Sequence, residues 1–442
     1  MIIVLCMFLS AGCSDIGFTD NMLMRPPHTT GDNAEIQNII NKETGGKYTL
    51  KYPQNGNYRS AIIMNKSKYN SEYAVVFYST EKESDIHVSI IYYIDNEWKS
   101  VGNFTNSGSS IERVIFDDID GDGNNEMLIG WNTYNNNQKT LTSYCFDSDK
   151  VREMAIDYAY DEIVVSDITS DNISDIVLLS LSSTDTPSTA KLLQYSEQEK
   201  RPIGKFSLEI DSEITTFSKI QVGKIDDNKT GIVIDGIKSG GLLESQIIYF
   251  DKDSNELKNP LVKTANGIVN NVTLRKDIIT SRDMDGDNII EVPVSTQMPA
   301  SVDEKAGNIC NVTSWKQLKI TDLTLQTKLN TVINYTDGYY FIMPDKWNGN
   351  VTAKADPKNR NMTFYVWNSK TNSVGDRLLT IYRFTESEWE NTDKTNLVRL
   401  SNVKDSTSKA IFALQTFKTN SKDSLNIDNV EVVHLVKSIT DP

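Results

Sequence analysis

A mainly β fold, in which one unit of strands is repeated five times ahead of a small α+β domain, is predicted by three observations. The first is texture: short apolar runs are separated by Asn, Asp, Ser and Thr, with only 11 Pro in 442 residues, as in chains of strands and turns. The second is recurrence, since an apolar strand, a polar loop and a second apolar strand return at near-constant spacing. The third is that this recurrence stops near residue 333, where the strand pattern changes. A chain of this length also exceeds what one core usually fills, which favours a repeat architecture or two domains.

Taken in order, residues Met1 to Leu9 are apolar throughout, and Ser10-Ala11-Gly12-Cys13 follows. This resembles the lipobox of bacterial lipoproteins. The resemblance implies a signal peptide over residues 1–12, cleavage before Cys13, and a lipidated Cys13 that anchors the chain to the extracytoplasmic face of the cell membrane by its acyl chains. Leu9 stands one place earlier than in the usual lipobox, and no Lys or Arg precedes the apolar run, which fits a start upstream of Met1 or a lost charged region. A buried N-terminal strand is the competing reading. A spanning helix fits less well, because about 12 apolar residues cannot cross a ~30 Å hydrocarbon layer.

Residues 13–32 lack periodicity and contain Pro26-Pro27, so they read as a tether. A helix follows. Asp32 is its expected cap, Glu35 holds the capping-box position, Ile36, Ile39 and Ile40 form one apolar face, and Gly45-Gly46 ends it. Beyond Cys6 and Cys13, only Cys145 and Cys310 remain, either as a disulfide or as two buried thiols, and neither has metal-ligand spacing around it.

Five copies of the repeat align: AIIMNKSKYNSEYAVVFY, VIFDDIDGDGNNEMLIGW, IVVSDITSDNISDIVLLS, IQVGKIDDNKTGIVIDG and IITSRDMDGDNIIEVPVS. Their loops begin at residues 64, 118, 167, 224 and 283, so successive copies lie 54, 49, 57 and 59 residues apart. Two further strands follow each copy, as in SIIYYIDNEWKSVG, LTSYCFDSDKVREMAI, SQIIYFDKDSNELKNP and SWKQLKITDLTLQTKL. Four short antiparallel strands per repeat is the layout of a radial blade and not of a sandwich. Residues 33–332 are therefore read as the helix and a five-bladed β-propeller, with six blades as the competing count.

The loops carry the chemistry. In the 118 loop, Asp118, Asp120, Asp122 and Glu126 place carboxylates at positions one, three, five and nine, and Gly121 and Gly123 allow the turn that brings in the carbonyl of Asn124. The 283 loop repeats this with Asp283, Asp285, Asp287, the Ile289 carbonyl and Glu291. An oxygen-only set of this charge suits Ca²⁺ better than a transition metal. The alternative is an acidic turn that is simply solvated. These loops resemble the DxDxDG loops of the FG-GAP or VCBS repeat family, which bridge the first two strands of blades in integrin-α-like propellers. The resemblance spans some 270 residues and implies two structural Ca²⁺ sites, with a weaker third at Asp167, Asp171 and Asp175, where Thr169 takes position three. The 64 and 224 loops carry Lys66, Lys68 and Lys224 at ligand positions and are expected to be metal-free.

Residues 333–442 read as an α+β domain, with strands in DGYYFIMP, NMTFYVW, LLTIYRF, KAIFALQTF and VEVVHLV and a short helix opened by the capping box of Thr385 and Glu388. Its aromatics, Tyr339, Phe341, Trp347, Tyr365, Trp367, Tyr382 and Trp389, are assigned to the core in preference to a sugar-stacking platform.

Function is bounded by what is missing. The 60 acidic against 45 basic side chains, a net charge of −15, argue against a nucleic-acid partner and against docking on anionic lipid. Only His28, His87 and His434 are present, which disfavours a histidine triad or zinc site, and Ser239-Gly240-Gly241 lacks the residues of a phosphate loop. Two classes stay open: a membrane-anchored scaffold binding a protein or wall polymer, and a polysaccharide lyase or hydrolase whose carboxylates converge outside the loops.

Overall fold

A computed structural model describes residues 31–439 apart from 69–70, 135–137, 148–149, 266–267, 300–309, 402, 404–408 and 420–422. The signal peptide, the lipidation site Cys13, His28 and the tether up to residue 30 lie outside the described residues. Among the described residues no helix is long and apolar enough to cross a membrane.

Helix α1 (Asp32–Thr44) buries Ile36 and Ile40 against Ala74, Val76, Tyr78, Ile91 and Trp98. Its cap is Gly31 and not Asp32, a correction with a backbone cause. Gly31 holds φ 66°, open to glycine, and its carbonyl accepts the N–H groups of Ala34 and Glu35. Asp32 is the first helical residue, and its carboxylate accepts from the Trp98 indole at 3.4 Å. Gly45 in the left-handed region ends the helix, with the Gly46 N–H donating to Asn41.

By compactness the chain forms two units. The first holds the described residues up to Ile115 with Ile129–Tyr134 and Tyr144–Arg152, and the second holds Phe116–Leu128, Asn135–Ser143 and the chain from Glu153 onward. In the first unit, β1 (Tyr48–Leu50) and β2 (Ile62–Lys66) both pair with β3 (Glu72–Thr80), followed in the sheet by β4 (Ile86–Ile94) and β5 (Glu97–Asn106). Strands β6 (Ser110–Asp117), β7 (Glu126–Asn132), β8 (Lys139–Asp147) and β9 (Lys150–Tyr160) form the next sheet in sequence order.

The second unit repeats this meander. Strands β10 (Glu162–Ser166), β11 (Asp175–Ser180), β12 (Thr189–Ser196) and β13 (Arg201–Glu209) form one antiparallel sheet, and β14 (Ile214–Asp226), β15 (Lys229–Lys238), β16 (Leu243–Asp251) and β17 (Glu256–Lys258) form another. A two-stranded ribbon, β18 (Val262–Ala265) with β19 (Ile268–Asn271), precedes β20 (Val292–Gln297), β21 (Asn311–Lys319), β22 (Thr324–Asn334) and β23 (Tyr339–Met343). Side chains alternate between the faces of a strand. On the β14–β17 sheet, Ile232, Ile234 and Ile248 cluster with Val177, Leu179 and Leu192, whereas Val233, Ile247 and Tyr249 cluster with Val292 and Leu318. Each face is thus covered by a sequence-adjacent sheet, which explains why the strand reads as an unbroken apolar run.

A last sheet takes β24 (Val351–Asp356), β25 (Asn361–Asn368), β26 (Ser373–Phe384), β27 (Val398–Leu400) and β28 (Ile411–Thr416) in the order β24-β25-β26-β28-β27. The expected capping box opens α2 (Glu386–Asn391) at Thr385 and Glu388. VEVVHLV is not one strand. The Asp428 carboxylate accepts from the Val430 and Glu431 N–H groups and so caps a helical turn, α3 (Asn429–Val433), with His434 after it. Only β29 (Val436–Ser438) is extended, and it pairs with β23. Tyr339, Phe341, Trp347 and Trp367 are buried, while Tyr365, Tyr382 and Trp389 are half-buried.

Candidate metal centres

The 118 loop joins β6 to β7 and closes on its own carboxylates. Gly121 and Gly123, with φ 78° and 81°, turn the chain so that their N–H groups donate to Asp118 at 2.8 and 2.9 Å. Asp120 accepts from the Asp122 N–H at 3.1 Å, Asp122 from the Asn124 N–H at 2.6 Å, and Glu126 Oε2 from the Ile119 N–H at 3.0 Å. Carboxylate oxygens of Asp118, Asp120 and Asp122 thereby lie within 4.8 Å of one another, as do those of Asp120 and Glu126.

Negative charge concentrates here. Burial first, then the charges of Asp120, Asp122 and Asp118, push Glu126 up to about 8, and burial also raises Asp120. Glu126 is 1% exposed, and its Oε1 is buried with no hydrogen-bond partner. Such an orphan oxygen costs about 1–3 kcal/mol, a cost that a cation in the loop removes. The oxygens of Asp118, Asp120 and Asp122 are hard donors, which fit a cation such as Ca²⁺.

The 283 loop repeats the wrap. Asp283 accepts from Gly286 and Asn288 at 2.7 and 2.9 Å, Asp285 from Asp287 at 3.2 Å, Asp287 from Ile289 at 2.9 Å, and Glu291 Oε2 from Met284 at 2.6 Å. Ile289 is buried and bridges in parallel to Lys224. Oxygens of Asp283, Asp285 and Glu291 converge within 4.8 Å. Two donors from outside the loop add to this wrap. The Gln317 amide donates to Asp287 at 2.7 Å and to Glu291 Oε1 at 2.6 Å, and the Lys328 ammonium lies 3.2 Å from Asp287 and 3.9 Å from Asp285. Burial raises Glu291 to about 7; at Asp287 burial is outweighed by the Gln317, Ile289 and Lys328 donors, which hold it below the usual range.

The 167 loop keeps this backbone without glycine: Ser170 and Asn172 hold φ 57° and 70° at positions four and six. Asp167 accepts from Asp171 and Asn172, and Asp171 from Ile173. Buried Asp175 accepts from the N–H groups of Ile168 and Thr169 and the Thr169 hydroxyl, and the Gln194 amide closes its other oxygen at 2.8 Å. Asp175 is therefore answered by protein donors, although burial raises it. The 224 copy is a tight hairpin, with Asp226 paired to Lys229 in register, and in the 64 copy Lys66 ion-pairs with Glu72 at 2.7 Å. Gln194, Gln317 and Lys328 are the residues that sequence reading missed. The glutamines lie directly across the ladder from position nine, so strand alignment carries their signal.

No family model matches this chain. No curated protein matches it by sequence either. Among solved structures, a protein from Lactobacillus plantarum aligns at 9% identity over 71% of this chain and 82% of its own, with a TM-score of 0.32. Sqt1 from Saccharomyces cerevisiae aligns at 8% identity over 83% and 86%, with a TM-score of 0.32. A 6-phosphogluconolactonase-like protein from Bacteroides uniformis aligns at 12% identity over 71% and 82%, with a TM-score of 0.28.

Outside the loops, every buried acid among the described residues has a basic partner. Glu112 pairs with Arg113, Asp211 and Glu244 with Lys238, Asp235 with Arg275, and Asp337 with Arg360. In the first unit, a 450 Å³ pocket is lined by Glu43, Glu81, Glu83, Tyr78, His87 and Asn103 among others, with Glu81 3.5 Å from Lys47 and Glu83 3.6 Å from His87. Cys145 and Cys310 are both buried and neither is in a disulfide; burial pushes the Cys310 thiol up to about 11.

Proposed function

We propose that this chain is a lipid-anchored extracytoplasmic scaffold, in which a Ca²⁺-stabilised β-propeller of FG-GAP/VCBS type binds a protein or a cell-wall polymer. The blades would be the five sheets of β1–β5, β6–β9, β10–β13, β14–β17 and β20–β23. The observation that carries the reading is the 118 loop, where four acidic side chains are wrapped by backbone N–H groups and one buried carboxylate oxygen has no partner. Extracellular modules hold Ca²⁺ at about 10⁻⁴ to 10⁻³ M, a level that keeps such loops filled outside the cell.

The test is Ca²⁺ titration of the full chain by calorimetry with thermal melting in parallel and Mg²⁺ as control. Calcium is expected to raise the melting temperature, and at about 100 times Kd the gain is ~2.7 kcal/mol. Asp120→Ala should lose that gain and leave the metal-free melting temperature nearly unchanged. Absence of both heat and shift would remove the calcium reading and the family proposal with it. For the anchor, Cys13→Ala should move the protein from the membrane fraction to the aqueous one; retention would defeat it.

A second reading, a polysaccharide lyase or hydrolase, is favoured by one observation, the carboxylate-lined pocket at Glu43, Glu81 and Glu83. Chain cleavage of a polysaccharide by the protein, lost in Glu83→Gln, would establish it.

A further inference from the structure

The two acidic loops are built alike but neutralised differently. In the 283 loop, Gln317 bridges Asp287 and Glu291 Oε1. Lys328 then adds a positive charge beside positions three and five, which a bound ion would need as ligands. Its placement is architectural. Trp315 pairs with Leu329 and Lys316 with Thr327, so Lys328 is the extra residue of a β-bulge in β22, a device that re-aims a side chain. The 118 loop differs at position nine. The charges that act most on Glu126 are all negative, Asp120, Asp122 and Asp118, and its Oε1 is buried without a partner.

We propose that Lys328 is a built-in counter-cation of the 283 loop, so that the 118 loop takes a divalent cation first and the 283 loop takes one only by displacing an ammonium. This rests on the calcium reading above and adds an order of filling to it. Calcium needs carboxylate oxygens at about 2.3–2.6 Å, so Asp285 and Asp287 cannot serve the ion and Lys328 at full strength together. The lysine side chain is 36% exposed and has solvent into which it can swing, which makes the exchange reversible. The orphan Glu126 oxygen has no internal donor to give up, so binding there breaks no existing contact at position nine.

The experiment is calorimetric titration of CaCl₂ into the full chain, comparing the unmodified protein with Lys328→Met and Glu126→Gln. The unmodified chain should show one tighter and one weaker site. Lys328→Met should tighten the weaker site roughly two- to fivefold, the order expected for a partly exposed ion pair. Glu126→Gln should abolish the tighter site and leave the weaker one in place. Melting of both variants in chelator, close to that of the unmodified chain, verifies that they are folded. Two equivalent sites unaffected by Lys328→Met would overturn the counter-cation while leaving the calcium reading intact. No calcium heat in any of the three would overturn both.

Discussion

In the 118 loop and the 167 loop alike, positions four and six hold positive φ, and the first aspartate gathers N–H groups around its carboxylate. They part at position nine. Asp175 accepts from two N–H groups, a hydroxyl and the Gln194 amide, whereas Glu126 accepts from one N–H and keeps a buried oxygen unanswered. The same backbone therefore supports two solutions to a buried carboxylate, one closed by protein donors and one left to a proton or a cation. What separates them is an amide on the neighbouring strand, the Thr169 hydroxyl and N–H where the 118 loop has Asp120, and an aspartate at position nine in place of Glu126.

The comparison is sharpened most by pH. Glu126 stands near 8 in the folded chain against an ordinary 4.5, so between those values the folded state holds a proton that the unfolded state has released. Stability then falls as pH rises across that window in the metal-free protein. On the proposed calcium reading the ion would take the place of the proton, and added calcium should flatten the fall. Denaturant midpoints at pH 6 and pH 8.5, in chelator and in calcium, check this. A metal-free slope that survives in Glu126→Gln would remove Glu126 as its source.

Next in size is the 167 loop itself. Asp175→Ala deletes a carboxylate that satisfies four donors, and the expected loss is about 2–4 kcal/mol with or without calcium. Glu126→Gln should cost the metal-free protein little below about pH 8, because the protonated acid is already neutral and the amide keeps an oxygen for the Ile119 N–H. If both substitutions responded to calcium alike, the two loops would not differ as described.

Much of this was legible in the sequence. The five loops were found by spacing, because each returns at the same place in a strand meander, and the DxDGD runs declare their carboxylates and glycines directly. The glutamines could have been found by setting each third strand in register: Ile176 pairs with Leu193 and Val292 with Lys316, which puts Asp175 opposite Gln194 and Glu291 opposite Gln317. Lys328 could not, because a bulge decides its direction and the sequence around it alternates as an ordinary strand does. The pairing of β29 with β23, roughly a hundred residues apart, is likewise set by the tertiary core that Val436 shares with Tyr339 and Phe341. Local signals misled where a nearby competitor won: Gly31 displaced Asp32 as cap, and the Asp428 side chain turned an apolar β-branched run into helix.

The smallest effect tests whether the two backbones are as alike as their dihedrals. Gly121 holds φ 78°, and a Cβ there would sit 2.6 Å from the Ile173 Cδ1 of the 167 loop. Gly121→Ala should cost about 1–2 kcal/mol from the left-handed backbone, plus whatever Ile173 gives up in moving. The counterpart in the other loop is Ser170, at φ 57°. There the reverse change, Ser170→Gly, relieves the same backbone strain but adds freedom to the unfolded chain, so the net change should stay within about 1 kcal/mol. Thermal melts in chelator compare the two without metal. A cost at Ser170→Gly as large as that at Gly121→Ala would mean that the serine side chain, and not the shared turn, holds the 167 loop in shape.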